Sequence, residues 1–185
     1  MNEAETRAEL IDPKLKACGW GVLEGSKILR ERNVCKITDG RIQVGGGRRK
    51  PLIADYILIY KGIKLAVVEA KSDDYEVGEG VAQAKLYAAK LNLETTYATN
   101  GKEIYQICMK TGAEGLVNDF LSPKELWDKV YTDQNDWRYK FAGIPFHDKS
   151  GTWQLRFYQE IAVKNTLEAV AQKKDRILLT LATGT

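Results

Sequence analysis

Histidine and cysteine are scarce in this chain of 185 residues. It has one histidine, His147, and three cysteines, Cys18, Cys35 and Cys108, none of them in a CxxC pair. A Ser-His-Asp or Cys-His mechanism would have to rest on His147 alone, which argues against nucleophilic triad chemistry. An odd number of widely spaced cysteines indicates neither a disulfide framework nor a zinc cluster, so we expect ordinary reduced thiols.

Long apolar runs are also missing. The longest, at residues 177–182 and 65–68, fall far short of the roughly 20 residues that a membrane helix needs. The N-terminal stretch MNEAETRAEL is acidic, whereas a secretory signal is basic and then apolar. These absences predict no membrane partner and a cytoplasmic location.

The composition is that of a folded protein with room for a substantial core. Hydrophobic residues make up 44% of the chain and charged residues 29%, which excludes disorder and collagen-like structure. The net charge of +3 is compatible with nucleic-acid binding but does not argue for it. The local distribution says more, because residues 41–50 carry only positive charges.

Hairpin and helix patterns alternate along the middle of the chain. The β-rich runs 54–60 and 63–70, joined by Lys61-Gly62, predict an antiparallel hairpin, and runs 96–99 and 103–109 predict another around Asn100-Gly101. Two helices are predicted as well: an amphipathic one over 80–93 that packs on the sheet, and one over 123–131 that begins with a Ser-Pro-Lys-Glu capping box. The pattern predicts an α/β fold.

The ends of the chain carry weaker signals. Residues 3–10 predict a helix, and Asp12-Pro13 begins a second short one that stops at Gly19. Runs 27–30 and 34–38 predict a hairpin with a mobile basic tip, residues 155–172 a helix, and residues 176–181 a strand. We therefore divide the chain into a first domain (1–131), a linker (132–154) and the start of a further domain (155–185).

Two carboxylates and a lysine are predicted to meet at one end of the first hairpin. Asp55 lies near the start of one strand, and Glu69 and Lys71 lie near the end of the next on one face, because residues i and i+2 of a strand point the same way. Oxygen ligands of this kind suit Mg²⁺, and a lysine beside them can orient or polarise a water molecule. This equipment suits metal-assisted hydrolysis of phosphodiesters.

A surface ion pair is the alternative explanation for these three residues. The residues before Glu69, Ala66-Val67-Val68, form an apolar run that should be buried. A carboxylate at the end of a buried run is costly unless it is paired or bound to a metal. The context therefore favours the functional interpretation.

The residues around this site resemble a known nuclease family. Ala54-Asp55, then Val68-Glu69-Ala70-Lys71, and then a helix with Gln83 and Tyr87 resemble the PD-(D/E)xK superfamily in its QxxxY branch. The particular match is the N-terminal nuclease domain of the restriction (R) subunit of type I restriction-modification enzymes. The resemblance implies a mixed central sheet flanked by helices. One departure is that Ala54 precedes the aspartate, with the nearest proline at Pro51.

The resemblance also implies roles for individual residues. Asp55 and Glu69 would bind Mg²⁺, with Mn²⁺ as a substitute, and Lys71 would be the catalytic lysine. Gln83 and Tyr87, which share a helix face, would line the site or contact DNA. Glu9, or less readily Glu5, would supply a further metal-binding carboxylate from the N-terminal helix, although helix-surface glutamates are usually only solvated.

A basic segment precedes the predicted catalytic aspartate. Arg48, Arg49 and Lys50 follow three glycines, and such a tip suits contact with DNA phosphates without reading the base sequence. The alternative is a solvated basic loop. The neighbouring Asp55 favours the DNA interpretation.

The last residues resemble the start of a motor domain. Arg156-Phe157-Tyr158-Gln159 resembles the Q motif of superfamily 2 helicases, in which the glutamine contacts adenine. The closing residues, with Thr183, Gly184 and Thr185, resemble the front of a Walker A loop, which continues with Gly-Lys-Ser/Thr. A helix and a strand of the core are the alternative. We expect ATP binding by a longer parent protein and no ATPase activity from this chain alone.

The function that the resemblance implies is Mg²⁺-dependent cleavage of double-stranded DNA. The parent protein would join methyltransferase (M) and specificity (S) subunits and cleave after ATP-driven translocation. Two alternatives stay open: the nuclease domain of a type III or stand-alone helicase-nuclease, and a non-catalytic DNA-binding or assembly domain in which the carboxylates form only ion pairs.

Overall fold

The computed structural model describes residues 1–35, 52–131, 136–142 and 157–180. They contain a six-stranded sheet whose strands follow one another in chain order. The strands are Ser26–Cys35 (β1), Leu52–Tyr60 (β2), Ile63–Ala70 (β3), Thr95–Thr99 (β4), Ile104–Cys108 (β5) and Glu114–Val117 (β6). Strands β3 and β4 are parallel and the other neighbours antiparallel. The predicted mixed α/β sheet is confirmed.

Helices cover both faces of the sheet. They are Glu3–Thr6 (α1), a π-helical turn Arg7–Ile11, Asp12–Ala17 (α2), a 3-10 turn Val77–Gly80, Val81–Leu91 (α3), Pro123–Val130 (α4), Asp136–Ala142 (α5) and Phe157–Ala171 (α6). Helix α3 connects the two parallel strands, which require a crossover of this kind. In the described part of the chain, no helix is both long and apolar enough to span a membrane.

The β2–β3 hairpin forms at the predicted place. Lys61 and Gly62 both have positive φ, +50° and +75°, as the tight I′ turn requires, and Tyr60 pairs with Ile63 across it. The predicted β4–β5 hairpin and the helix capped by Ser122 are also present. These patterns depend on neighbouring residues, and local chemistry is enough to specify them.

The predicted hairpin within residues 27–38 is wrong. Residues 26–35 form one continuous strand, β1, which pairs with β2 in antiparallel register from Ser26↔Tyr60 to Cys35↔Leu52. The polar residues 31–33 do not interrupt it, because β1 is an edge strand and its ladder with β2 overrides their low strand preference. The predicted basic tip, with Arg48, Arg49 and Lys50, lies outside the described residues.

The structure also differs from the predictions toward the C-terminus. Strand β6 was not predicted, and helix α5 lies within the predicted linker 132–154. The predicted strand at 176–181 is not formed over residues 176–180, where Leu178 is 87% exposed. A strand needs a neighbour for its backbone hydrogen bonds, and none of the described strands pairs with these residues.

The N-terminal helices form one segment from Glu3 to Ala17 rather than two. Thr6 and Ile11, both fully buried, are five residues apart, and the π-helical turn between them brings both to the core. The segment ends as predicted at Gly19, whose φ is +94°. The Trp20 amide donates to the Leu15 carbonyl at 2.9 Å, which completes a Schellman cap.

The two faces of the sheet bury separate hydrophobic clusters. The larger one lies under the N-terminal helices and α4, and the smaller one lies under α3. The larger cluster includes Ile11, Leu15, Trp20, Tyr56, Leu58, Tyr97 and Trp127. The smaller one includes Ile57, Val67, Tyr87 and Leu91. Glu69 is on the α3 face by strand alternation with Val67, and the Gly80 turn before α3 packs beside it.

Replacing Gly101 with alanine should destabilise the fold by about 2–4 kcal/mol. Gly101 has φ +82°, and an added Cβ would lie 2.7 Å from Leu10 Cβ, so the variant combines backbone strain with a clash against the N-terminal helices. Gly112→Ala is the matched control, because Gly112 has φ +74° and no atom of the described residues would lie within 4 Å of the added Cβ. Urea unfolding should show a loss of stability of about 1–2 kcal/mol for the control. If Gly101→Ala lost no more stability than Gly112→Ala, the clash with Leu10 would cost nothing.

Candidate active site

The backbone places Asp55 and Glu69 on adjacent strands. Strands β2 and β3 pair in antiparallel register up to Tyr56↔Val68, and one further step would set Asp55 opposite Glu69. Directly opposed residues of such a pair have Cβ atoms about 4.5–5.5 Å apart. The Ala70 amide donates to Asp55 Oδ2 at 2.8 Å, which ties the aspartate to the end of β3.

Asp55 is held from two sides. Besides the Ala70 amide on Oδ2, the Arg7 guanidinium donates from Nη1 to Oδ1 at 3.1 Å. The pKa of Asp55 is raised, chiefly because burial disfavours the charged carboxylate, while the Ala70 hydrogen bond opposes the shift. Asp55 is therefore an oriented carboxylate whose charge is costly where it lies.

Glu69 is more deeply buried than Asp55. Its side chain is 2% exposed; Oε1 accepts a hydrogen bond from Lys71 Nζ at 2.8 Å, and Oε2 is buried without a hydrogen-bond partner among the described residues. Burial, followed by the nearby charge of Asp55, raises the pKa of Glu69 to about 7. A buried carboxylate oxygen without a partner is costly in a structural position and is what a metal-binding site needs.

Lys71 connects Glu69 to helix α3. Its Nζ donates to Glu69 and, at 3.4 Å, to Gln83 Oε1, and Gln83 Nε2 donates to the Tyr87 hydroxyl at 2.6 Å. Although burial alone would lower the pKa of Lys71, its bond to Glu69 raises it. The predicted residues Asp55, Glu69, Lys71, Gln83 and Tyr87 are thus brought together at one edge of the sheet.

A close approach of α3 to the sheet makes this possible. A Cβ added to Gly80 would lie 3.3 Å from both Glu69 Cγ and Ala98 Cβ, so glycine lets the start of α3 pack onto the site. The Lys71 amide donates to the Thr99 carbonyl at 2.8 Å and continues the β3–β4 ladder past the strand end. Gly80 and Thr99 were not assigned to the site from the sequence. For Gly80, a glycine at the start of the helix that carries Gln83 and Tyr87 was a signal that could have indicated it.

The N-terminal helices contribute Arg7 and Glu3 rather than the expected Glu9. Glu9 is exposed, and Glu5 closes the helix cap by accepting from the Asn2 amide. Glu3 lies close enough that its charge raises the pKa values of both Asp55 and Glu69. Sequence alone could not choose among the glutamates, because the π-helical turn changes which positions of the helix face the sheet.

The carboxylates at this edge suit a divalent ion. No three His, Cys, Asp or Glu side chains are grouped as a metal site within residues 1–35, 52–131, 136–142 and 157–180. Mg²⁺, however, commonly binds through one or two carboxylates and completes its shell with water and substrate phosphate. Asp55 and Glu69 Oε2, which has no hydrogen-bond partner in the part of the chain that the structure describes, are oxygen donors of that kind, so the residues present fit Mg²⁺.

Of the predicted nucleotide-binding residues, the structure describes Gln159 alone. Gln159 lies in α6, half-buried. Thr183, Gly184 and Thr185 lie outside the described residues, as do Arg48, Arg49 and Lys50. The structure therefore describes the predicted nuclease site but not the basic segment that precedes it. It describes one residue of the predicted nucleotide site.

The chain is similar to known restriction subunits, although no family model matches it. It is 34% identical over its full length to the endonuclease subunit of the type I restriction enzyme EcoAI of Escherichia coli, and spans 24% of that relative. It is also 25% identical to the endonuclease subunit of the type I restriction enzyme EcoKI of E. coli K12, in a match that covers all of this chain and 20% of that relative.

A solved structure shares the fold over the entire chain. It is described as a fragment of an HsdR subunit of a type I restriction enzyme from Vibrio vulnificus YJ016. The identity is 37% and the TM-score 0.85, covering 100% of this chain and 35% of the other. The chain is therefore homologous, along its whole length, to a segment of the HsdR endonuclease subunits of type I restriction enzymes.

Proposed function

We propose that this chain is a Mg²⁺-dependent DNA endonuclease domain with its site at Asp55, Glu69 and Lys71. The observation that carries the proposal is Glu69, a carboxylate 2% exposed with one oxygen on Lys71 and the other without a partner among the described residues. An oxygen left in this way is explained by a cation that binds there. Homology to restriction endonuclease subunits supports hydrolysis of DNA as the reaction.

The proposal assigns a role to each residue of the site. Asp55 and Glu69 hold the ion, and the Ala70 amide keeps Asp55 oriented toward the end of β3. A bound Mg²⁺ would neutralise the phosphate and make its water a better nucleophile. Lys71, held between Glu69 and Gln83, would orient the attacking water or stabilise the charge that develops on the phosphate. Gln83 and Tyr87 line the site.

The wider setting is proposed from the family resemblance of the motifs, and the chain spans about a quarter or less of its curated relatives. We place the domain in a longer restriction subunit that binds ATP, translocates double-stranded DNA and associates with methyltransferase and specificity subunits in the cytoplasm. Arg48, Arg49 and Lys50 would contact the DNA backbone, and Gln159 with residues 183–185 would belong to the nucleotide site.

A non-catalytic DNA-binding or assembly domain is the second candidate. The contact between Arg7 and Asp55 favours it, because a guanidinium already balances one of the two carboxylates. In that case Asp55, Glu69 and Lys71 would form a structural ion-pair network. Binding of metal ions separates the two candidates, since a purely structural network has no need of one.

Replacing Lys71 with alanine should reduce metal-dependent nicking of supercoiled plasmid at least about a hundredfold. Metal binding should persist, because both carboxylates remain. The measurement follows cleavage by gel electrophoresis in Mg²⁺ or Mn²⁺ and metal binding by calorimetry. Lys64→Ala is the matched control, because Lys64 lies on the same strand and also pairs with a glutamate, Glu160, at the far end.

The outcomes distinguish three interpretations of the site. Cleavage that requires metal and is lost in Lys71→Ala but kept in Lys64→Ala supports the proposal. Metal binding without cleavage would mean that the site is intact and needs the rest of the longer protein. If the wild-type chain neither binds metal nor cleaves DNA, the non-catalytic candidate is favoured.

A further inference from the structure

Arg7 links the N-terminal helices to the candidate active site. Its Nη1 lies 3.1 Å from Asp55 Oδ1, and its Nη2 lies 3.8 Å from Glu3 Oε1, one helical turn earlier. The side chains of Arg7 and Asp55 are only 18% and 15% exposed. Water screens such a pair less than an open surface pair, so the attraction is substantial. Arg7 thus supplies positive charge to a carboxylate that the proposed function assigns to Mg²⁺.

The backbone around Arg7 is anchored, whereas its side chain is shared between at least two carboxylates, those of Asp55 and Glu3. Thr6 is fully buried, and its hydroxyl donates to the Asn2 carbonyl at 2.9 Å and accepts from the Asp73 amide at 3.2 Å. Ile11, at the other end of the π-helical turn, is buried in the core. We therefore expect only the Arg7 side chain to move here, and its guanidinium can pair with Asp55 or with Glu3.

When a cation binds at this edge, the surrounding charges favour pairing of Arg7 with Glu3 over pairing with Asp55. Among the described side chains the edge has three carboxylates and two cations: Glu3, Asp55 and Glu69, with Arg7 and Lys71. Lys71 is held by Glu69. A divalent ion on Asp55 would lie close to the guanidinium that pairs with the same carboxylate, and like charges at that separation repel. Glu3 remains beside Arg7 as an alternative partner.

We propose that Arg7 and a divalent metal ion compete for Asp55. The guanidinium pairs with Asp55 while no ion is bound, which keeps the carboxylate oriented and its charge balanced, and it shifts to Glu3 when an ion binds. Arg7 is thus a positioning residue that sets the metal affinity of the site. This inference rests on the proposed function, because it needs a metal site that includes Asp55.

The test is a calorimetric titration of the 185-residue chain with Mn²⁺ alone, without DNA. Arg7→Gln removes the competitor and should tighten binding at least about fivefold. Arg7→Lys keeps the charge and should return the Kd to within about twofold of the wild-type value. Lys102→Gln is the charge-matched control: Lys102 pairs with Asp73, not Asp55, and its loss should change the Kd less than twofold. Melting curves establish that each variant is folded, and Arg7→Met replaces Arg7→Gln if that variant is not.

Two outcomes overturn the inference while leaving the proposed function in place. One is an unchanged or weaker affinity in Arg7→Gln; the other is an equal gain in Lys102→Gln, which would indicate a general effect of charge. Asp55→Asn distinguishes a failure of the proposed function itself. If the wild-type chain, Arg7→Gln and Asp55→Asn show the same absence of Mn²⁺ binding, there is no metal site for Arg7 to compete for, and both proposals fail.

Discussion

Replacing Glu69 with glutamine should abolish metal-dependent cleavage and at the same time stabilise the fold at pH 8. Cleavage should fall at least about a hundredfold, because glutamine lacks the charge that the metal ion requires. The free energy of unfolding should rise on the order of 1–3 kcal/mol, because the wild-type protein buries a carboxylate with one oxygen that has no partner among the described residues. Glutamine fills the same space and does not repel Asp55.

The gain in stability should depend on pH in a defined direction. The pKa of Glu69 is raised from 4.5 to about 7, so folding favours its protonated form. The contribution of Glu69 to stability is complete below pH 4.5 and is lost as the pH rises through about 7. The difference between Glu69→Gln and the wild type should therefore grow between pH 4.5 and 7 and stay level above pH 8.

Urea unfolding across that pH range, without metal, measures the difference. Glu125→Gln is a suitable control, because Glu125 is exposed and the Ser122 hydroxyl lowers its pKa, so that its loss should not stabilise the fold. A Glu69→Gln variant that is less stable than the wild type at pH 8 would contradict the idea that Glu69 is held there at a cost for its function.

Replacing Trp20 with alanine should cause the largest loss of stability among these variants, about 3–5 kcal/mol. Trp20 is fully buried in the larger cluster, and its indole N–H donates to the Leu121 carbonyl at 2.8 Å, just before α4. The substitution leaves a cavity and a buried carbonyl without its donor. The melting temperature should fall by about 10 °C in differential scanning calorimetry.

Trp20→Phe separates the two parts of that loss. Phenylalanine keeps much of the ring volume but cannot donate to Leu121, so the variant should lose about 1–3 kcal/mol. If Trp20→Ala were no worse than Trp20→Phe, packing at this position would contribute little. Leu23→Ala, on the exposed side of the same turn, should change the stability by less than about 0.5 kcal/mol.

The parts of the fold that could be predicted depend on nearby residues. The Lys61-Gly62 turn, the Asn100-Gly101 turn, the Ser122 cap and the stop at Gly19 all follow from a few neighbouring side chains. Strand β1 could not be placed, because its partner β2 lies beyond residues 36–51 and the polar residues 31–33 suggest a break. Strand β6 was missed for a similar reason, since Glu114 and Gly115 have low strand preference and form a strand only beside β5.

The site divides in the same way. Asp55, Glu69 and Lys71 could be placed together from a two-residue turn and strand alternation, and Gln83 and Tyr87 from helical spacing. Arg7 and Glu3 could not, because their place depends on how a helix from the other face of the sheet packs around the end of β2. The π-helical turn also changes which residues of the N-terminal helices face the sheet, and no pattern in residues 7–11 predicts that turn.

The single parallel pair, β3 with β4, divides the sheet into two three-stranded antiparallel units joined by α3. The side chains from the sheet and crossover helix to which we assign chemistry all lie between Asp55 and Tyr87. The second unit, β4 to β6, contributes the Thr99 carbonyl and the surface on which Gly80 packs. A backbone carbonyl is present whatever the side chain, so sequence drift in the second unit should leave the proposed reaction unchanged as long as the strands persist and Ala98, against which Gly80 packs, stays small.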